Sequence, residues 1–307
     1  MRIWPVILDS QPGYLAGAHG TLSILLAPVG TSSLAEQLAR QLAPITGNAP
    51  AVLAPAAAGA DYQRSIHALC PTARVLATPD DCGDLVGRCE LSDAILLIDP
   101  RCLTLGDAEL GNLVREYSAD PRVVHSLVAF EAFEGSKEHV SFDKDGQIRG
   151  IQRYYDQTTW AVIAGIGAMI VPVACGVLGH GLFPRSFAAL RQILAGRGVP
   201  SRDVPIRGVA IDLSNEHGML AANERLAVQA TSEPRKSAPT GKPALLGAGH
   251  QIHPDARIVG PVIIHRDVCI EAGATILGPA VIGAGARIAA GAIVAHATVC
   301  AGCVIPS

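Results

Sequence analysis

Between Val262 and Val294 the chain reads VIIHRD-VCIEAG-ATILGP-AVIGAG-ARIAAG-AIV. Every sixth position belongs to one series: Ile252, Ile258, Ile264, Ile270, Ile276, Ile282, Ile288, Val294 and Cys300. Four residues after each comes a second series of mostly small residues: Ala256, Val262, Val268, Ala274, Ala280, Ala286, Ala292, Thr298 and Val304. An amphipathic helix repeats at 3.6 residues and a half-buried strand at two. A period of six fits short strands wrapped round a triangular prism, one hexapeptide per face. The aliphatic residue points inward and the small one packs beside it near the corner. Gly273, Gly285, Gly291 and Gly302 fall where the corners need a permissive backbone. The nine hexapeptides predict about three coils of a parallel β-helix, an architecture in which each coil is buried only by its neighbours.

Upstream of the repeat, Thr231 to Pro243 is rich in Pro, Ser and Lys and has no apolar period, which predicts a linker. The expected division is an α/β domain over 1–229, a linker over 230–245 and the β-helix over 246–307. Within the first part, apolar runs alternate with helical patterns. Strands are predicted at Ile3–Leu8, Ala51–Leu53, Val75–Ala77, Ala94–Ile98, Val123–Phe130 and Val204–Ile211. His139–Phe142 and Gln147–Gln152 flank the turn sequence Asp143-Lys-Asp-Gly146 and predict a hairpin. Helices are expected after Ser32/Ser33, over Asp107–Tyr117 and over Glu216–Val228. This alternation predicts a mixed, mostly parallel sheet flanked by helices.

Composition narrows the function classes. A net charge of −3 gives no electrostatic footprint for nucleic acid. The uncharged stretch Trp160 to Leu178 is interrupted by Gly165, Gly167, Pro172 and Gly176, and is expected to be a buried strand and a short helix rather than a membrane span. The first residues lack the apolar run and cleavage site of a signal peptide. Eight cysteines, mostly unpaired in spacing, fit a reducing, cytoplasmic compartment. Cys300-Ala-Gly-Cys303 has the spacing of half a zinc site, but with no second pair, and Cys300 on the inward series, core packing is the expectation. His253 and His265 each follow an inward Ile. Either could serve as the general base of a hexapeptide acyltransferase, although hydrated outward positions accept His freely.

Two carboxylates stand where α/β folds place ligand chemistry. Asp99 follows the strand Ala94–Ile98, and Asp212 follows Val204–Ile211. They could converge on one Mg²⁺. Equally, Asp99 could start an Asp-Pro-Arg turn and Asp212 could cap the next helix.

Several segments, in order, resemble the nucleoside-diphosphate-sugar pyrophosphorylase (sugar nucleotidyltransferase) family. Asp212-Leu-Ser-Asn-Glu-His-Gly-Met-Leu-Ala-Ala-Asn223 is similar to D-I-G-T-P-E-D-Y-L-x-A-N. Pro28-Val29-Gly30 resembles P-V-x-G-x-P-L, Leu96-Leu-Ile-Asp99 the strand ending in G-D, and Ile151-Gln152-Arg153 the end of the E-K-P hairpin. Ala164-Gly165-Ile166 resembles N-A-G-I, and Phe183-Pro184-Arg185 a later F-P motif. The repeat itself resembles the left-handed hexapeptide β-helix, a common companion in that family. The resemblance implies a GT-A-like fold and a reaction in which a sugar 1-phosphate oxygen attacks the α-phosphate of a nucleoside triphosphate, releasing pyrophosphate. It implies Asp99 and Asp212 as catalytic, Mg²⁺-holding residues, and Gln152, Arg153 and Gly165 as the sugar site. It implies nucleoside triphosphate, sugar 1-phosphate or nucleotide sugar as small-molecule partners, and a homo-oligomer formed through the β-helix.

The chain departs from that family at the phosphate loop. Where the family has G-G-x-G-T-R, this sequence has Asp9-Ser10-Gln11-Pro12-Gly13-Tyr14, leaving Gly13 as the loop's glycine for the nucleotide. Pro12 removes a backbone donor and Asp9 adds an anion. No Lys or Arg occurs between Arg2 and Arg40, and the family's Lys position falls near Ile24. Ile163 replaces the family's Asn, and Gln152 its Glu. Losing two cations from a triphosphate site removes several kcal/mol of transition-state stabilisation by the usual scale of such contacts. Impaired or absent turnover is therefore the expectation.

Overall fold

The computed structural model describes residues 1–9, 15–17, 20–56, 58–105, 108–129, 134–142, 148–157, 165–179, 183–232 and 244–307. In chain order the α/β part contains β1 (Ile3–Leu8), α1 (Leu34–Thr46), β2 (Ala51–Leu53), α2 (Ala60–Leu69), β3 (Arg74–Leu76), α3 (Pro79–Gly87), β4 (Ala94–Ile98), β5 (Cys102–Leu105), α4 (Ala108–Ala119) and β6 (Val124–Ala129). It continues with β7 (Glu134–Phe142), β8 (Ile148–Gln157), β9 (Gly165–Pro172), α5 (Phe187–Gly196), β10 (Ser201–Pro205), β11 (Val209–Asp212) and α6 (Glu216–Ser232).

Seven of these strands form one sheet in the order β10-β6-β9-β4-β1-β2-β3. Six run parallel to one another, and β9 runs against its neighbours β4 and β6. The central strand β4 is buried along its whole length because both faces are covered. Leu96 and Ile98 face one layer, with Leu38 of α1, Ile66 of α2, Leu113 of α4 and Met219 of α6. Ile95 and Leu97 face the other, with Leu85 of α3 and Leu190 of α5. Helix α1 starts at a capping box: Ser33 Oγ accepts from Glu36 N, and the Glu36 carboxylate accepts from Ser33 N.

One predicted element splits. Val204–Ile211 is not a single strand: β10 joins the main sheet, while β11 pairs antiparallel with β5 in a separate ladder. Residues between them turn away, with Arg207 N and Gly208 N donating to the buried Glu109 carboxylate. The hairpin β7/β8 runs further from its turn than predicted, to Glu134 and Gln157, and its turn lies outside the described residues.

The C-terminal part is the expected prism. Its three parallel faces are Ala244–Leu246, Val262–Ile264, Ala280–Ile282, Thr298–Val299; then Gln251–Ile252, Cys269–Ile270, Arg287–Ile288, Val304–Ile305; then Arg257–Val259, Thr275–Leu277, Ile293–Ala295. Ile264, Ile270, Ile276, Ile282, Ile288 and Val294 fill the axis. The four corner glycines all have φ between +68° and +74°. The period slips once. Ile264 faces Ile282 eighteen residues on, but Ile282 faces Val299, not Cys300. The two earlier corners of this edge are Gly260-Pro261 and Gly278-Pro279; the third turns through His296, at φ +45°, with one residue fewer. Val299 and Ile305 therefore take the inward places, and Val304 is exposed.

Helix α6 joins the two parts. Its Ala227 packs on the outward side of the first prism face, against Ile263 and Val281. The buried Asn223 Oδ1 accepts from Gly30 N at 2.8 Å, and its Nδ2 donates to Pro28 O at 2.9 Å and Thr298 Oγ1 at 3.0 Å. His265 Nε2 donates to Gly30 O at 2.8 Å.

Candidate functional site

The C-terminal ends of β1, β4 and β11 meet at one edge. Ile7 lies opposite Ile98 in parallel register, so Asp9 and Asp99 leave neighbouring strand ends. Asp99 Oδ1 accepts from Arg101 N and Nε, each at 2.9 Å, and Oδ2 accepts from Arg101 Nη2 at 2.6 Å. This two-pronged geometry is the strong form of a guanidinium–carboxylate pair. Asp212 sits across the β5/β11 ladder from Cys102, and the next residue, Leu213, donates its N–H to Arg101 O at 2.6 Å. Asp212 Oδ1 accepts from Ser214 N at 2.8 Å, and Oδ2 from Ser214 Oγ at 2.7 Å. Asp9 is buried; its Oδ2 accepts from Ser23 Oγ at 2.5 Å and from Tyr62 Oη at 2.7 Å.

The electrostatics follow from that packing. Burial raises the Asp9 carboxyl above its ordinary range, partly offset by the Ser23 and Tyr62 hydroxyls and by Arg101. Burial and the Asp9 charge push the Tyr62 phenol far up. The Cys102 thiol is pushed up to about 12, first by burial and then by Asp99 and Asp212, so it is a neutral packing group. The Arg101 guanidinium is held in its charged form by the Asp99 hydrogen bonds, with Asp212 and Asp9 adding to the effect against the cost of burial. Three carboxylates thus act on one fixed cation.

The sequence-predicted residues fall into three groups. Asp99 and Asp212 are brought to the same edge, although Asp212 comes from a different sheet than expected. Each accepts from the backbone N–H two residues on, which for Asp99 is the Asp-Pro-Arg turn and for Asp212 a turn before the helix. The cap of α6 is nonetheless Asn215, whose Oδ1 accepts from Gly218 N, and not Asp212. Gly165 begins β9, two residues before Gly167, whose carbonyl accepts from Asp99 N at 2.9 Å. Gln152 and Arg153 lie on β8, opposite His139 and Glu138, in a ladder apart from the main sheet. Gly13, Ile163 and the turn 143–146 lie outside the described residues.

A Mg²⁺ ion would need oxygen lone pairs of Asp99 and Asp212 turned to a common point. As folded, both oxygens of each carboxylate are engaged, by Arg101 and by Ser214. Among the described residues no group of three His, Cys, Asp or Glu converges on a metal position. The residues present do not fit the ion. Arg101 was visible in the sequence only as the third residue of Asp-Pro-Arg, and Ser23 and Tyr62 carried no motif at all. A second cleft of about 560 Å³ lies between α1 and α6, lined by Thr31, Ser32, Gln37, Arg40, Gln41 and Gln229 among others.

The β-helix histidines are otherwise employed. His265 is mostly buried against Gly30, and His253 Nδ1 accepts from Asp255 N. Cys300 is buried with its thiol pushed up to about 11, and all eight cysteines are free. No helix among the described residues is long and apolar enough to cross a membrane.

A family model for the bacterial transferase hexapeptide (six repeats) matches residues 261–296. No curated protein matches the sequence. Among solved structures, the chain is similar to a provisionally named glucose-1-phosphate thymidylyltransferase from Bacillus anthracis, crystallised with sucrose. The TM-score is 0.51 at 14% identity, covering 76% of this chain and 98% of that one. It is also similar to a protein described as mannose-1-phosphate geranyltransferase from Thermus thermophilus, with TM-score 0.48 at 14% identity, covering 100% of this chain and 92% of that one. The chain accordingly has the sugar-nucleotidyltransferase fold, a mixed and mostly parallel α/β sheet, followed by a hexapeptide-repeat β-helix of the bacterial transferase type.

Proposed function

We propose that this protein belongs to nucleotide-sugar and cell-surface polysaccharide metabolism in the cytoplasm, and that its nucleotidyl-transfer chemistry is impaired or lost. The observation that carries the reading is the charge arrangement at the strand edge. Transfer to a sugar 1-phosphate depends on neutralising phosphate charge as pyrophosphate departs. Here Asp9 and Asp99 stand at neighbouring strand ends, and the cation beside them, Arg101, is already paired with Asp99. A triphosphate at this edge meets one half-exposed cation, already paired with Asp99, among the carboxylates of Asp9, Asp99 and Asp212. What this chain's residues can do is orient a ligand: Asp99 is fixed by its N–H bond to the Gly167 carbonyl, and Arg101 keeps its outer edge partly exposed. A nucleotide sugar, with one diphosphate and many hydroxyls, suits such a cleft better than a triphosphate.

The supporting experiment is calorimetry of the full chain with nucleoside triphosphates, sugar 1-phosphates and nucleotide sugars, alongside a pyrophosphate-release assay. Binding of a nucleotide sugar without turnover is expected. Robust pyrophosphate release rejects the impaired reading; absence of all nucleotide and nucleotide-sugar binding rejects the ligand class.

An assembly role has its own support. The first prism face is covered by α6, whereas the third presents Val259, Leu277 and Ala295 outward in one contiguous row, beside a second row of Arg257, Thr275 and Ile293, of which Ile293 is 71% exposed. Single exposed apolar residues are ordinary, but a contiguous apolar face is a site of association. A homo-oligomer through this face is the expected state, and light scattering showing a monomer at every concentration counts against it.

A further inference from the structure

We propose that Arg101, held by both oxygens of Asp99 at the edge that Asp99 shares with Asp212, is a resident cation standing in the place of a divalent metal ion, so that this cleft operates without a metal. The inference builds on the strand-edge cleft being the functional one, but its test does not require nucleotide binding. Three donors from one residue, the backbone N–H, Nε and Nη2, occupy both oxygens of Asp99. The side chain is not a surface arm that happened to fold inward. The Arg101 carbonyl accepts from Leu213 N at 2.6 Å, and Cys102 pairs with Asp212. The same ladder that sets Asp212 at this edge therefore sets the root of the guanidinium.

The charges agree. Asp9, Asp99 and Asp212 all act on Arg101, which supplies one positive charge among them. A guanidinium does not lose its proton in proteins, so it cannot clear the space for an incoming divalent ion by deprotonating. A metal would have to displace the fork and then sit beside it, against like charge. At the same time the Arg101 side chain stays 32% exposed, against 17% for Asp99, so its outer edge remains available to an anionic group of a ligand. The arrangement keeps a fixed positive charge at the strand edge while removing the dependence on an exchangeable ion.

The test is Mn²⁺ binding by the full chain, followed by electron paramagnetic resonance. Wild type is expected to show no Mn²⁺ site tighter than millimolar that depends on Asp99. Arg101→Gln, which empties the fork but keeps a polar side chain, is expected to bind Mn²⁺ at least tenfold more tightly than wild type. Adding Asp99→Asn to that variant should abolish the gain. Wild-type Mn²⁺ binding that disappears in Asp99→Asn overturns the proposal, and this arm does not depend on Arg101→Gln folding. A folded Arg101→Gln, shown by circular dichroism, with unchanged Mn²⁺ affinity overturns it as well. Neither result bears on whether nucleotide sugars bind.

Discussion

The prism and the strand-edge cleft are held together by opposite means. The prism axis is a column of aliphatic side chains, each stabilised by removal from water and contact with the coil above and below. The cleft is a set of charges and hydroxyls held by hydrogen bonds, with Asp9 buried between Ser23 and Tyr62 and the Asp99 and Asp212 pairs partly open to water. A repeat of the first kind can lose a residue at a corner, as at His296, and restore itself one strand later by moving Val299 into the inward place. An arrangement of the second kind has no such tolerance, because removing one partner leaves another buried and unsatisfied.

That contrast can be broken at its strongest points first. Gly218 is where the cleft-forming segment is tightest: a Cβ there would lie 1.6 Å from the Asp212 carbonyl oxygen. Gly218→Ala should displace the start of α6 and destabilise the fold by about 4 kcal/mol or more, read by chemical denaturation. The prism counterpart is Ile276→Ala on the axis, fully buried, for which a loss of about 3 kcal/mol is expected. If Ile276→Ala proves as damaging as Gly218→Ala, the prism is less forgiving than the slip at His296 indicates.

Asn223→Ala tests the seam between the two regions. It orphans Gly30 N and Pro28 O, both in the buried seam, and should remove about 2–3 kcal/mol, together with a detectable loosening of the prism in hydrogen exchange. Asn223→Asp would keep the acceptor for Gly30 but set a buried carboxylate against the Pro28 carbonyl, so a loss at least as large is expected at neutral pH.

The cleft alone should carry an unusual pH response. Burial raises the Asp9 carboxyl above its ordinary value of 3.8. Between the unfolded and folded values the folded chain binds more protons, so this group's contribution to stability falls as pH rises through that window and stays low above it. Asp9→Asn should therefore raise the melting temperature at neutral pH, with the gain vanishing below about pH 4. A gain that persists at low pH would show that the charge is not its cause. The smallest effect is expected from Ser33→Ala, which removes one half of the α1 capping box and should cost about 1 kcal/mol.

Particular elements show where reading the sequence succeeds. The period of six was explicit from Ile252 to Val294 because each inward residue is specified by its own hexapeptide and nothing distant. Ser33, Leu34, Leu38 and Leu42 announced α1 for the same reason. The slip at His296 was hidden because Cys300 and Val304 still satisfy the count. Val204–Ile211 read as one strand because its apolar content says nothing of which sheet each half joins. The site was half legible: Asp99 and Asp212 stood out by position and resemblance, while Arg101 looked like the end of a turn.

The local chemistry of the chain alone dictated the prism, the capped first helix and the buried central strand, since each depends on residues within a few positions of one another. The order of the seven strands, the seam through Asn223 and the meeting of Asp9, Asp99, Arg101 and Asp212 belong to the tertiary structure. Those contacts join residues far apart in the chain, and what a charge does is set by the neighbours that folding gives it.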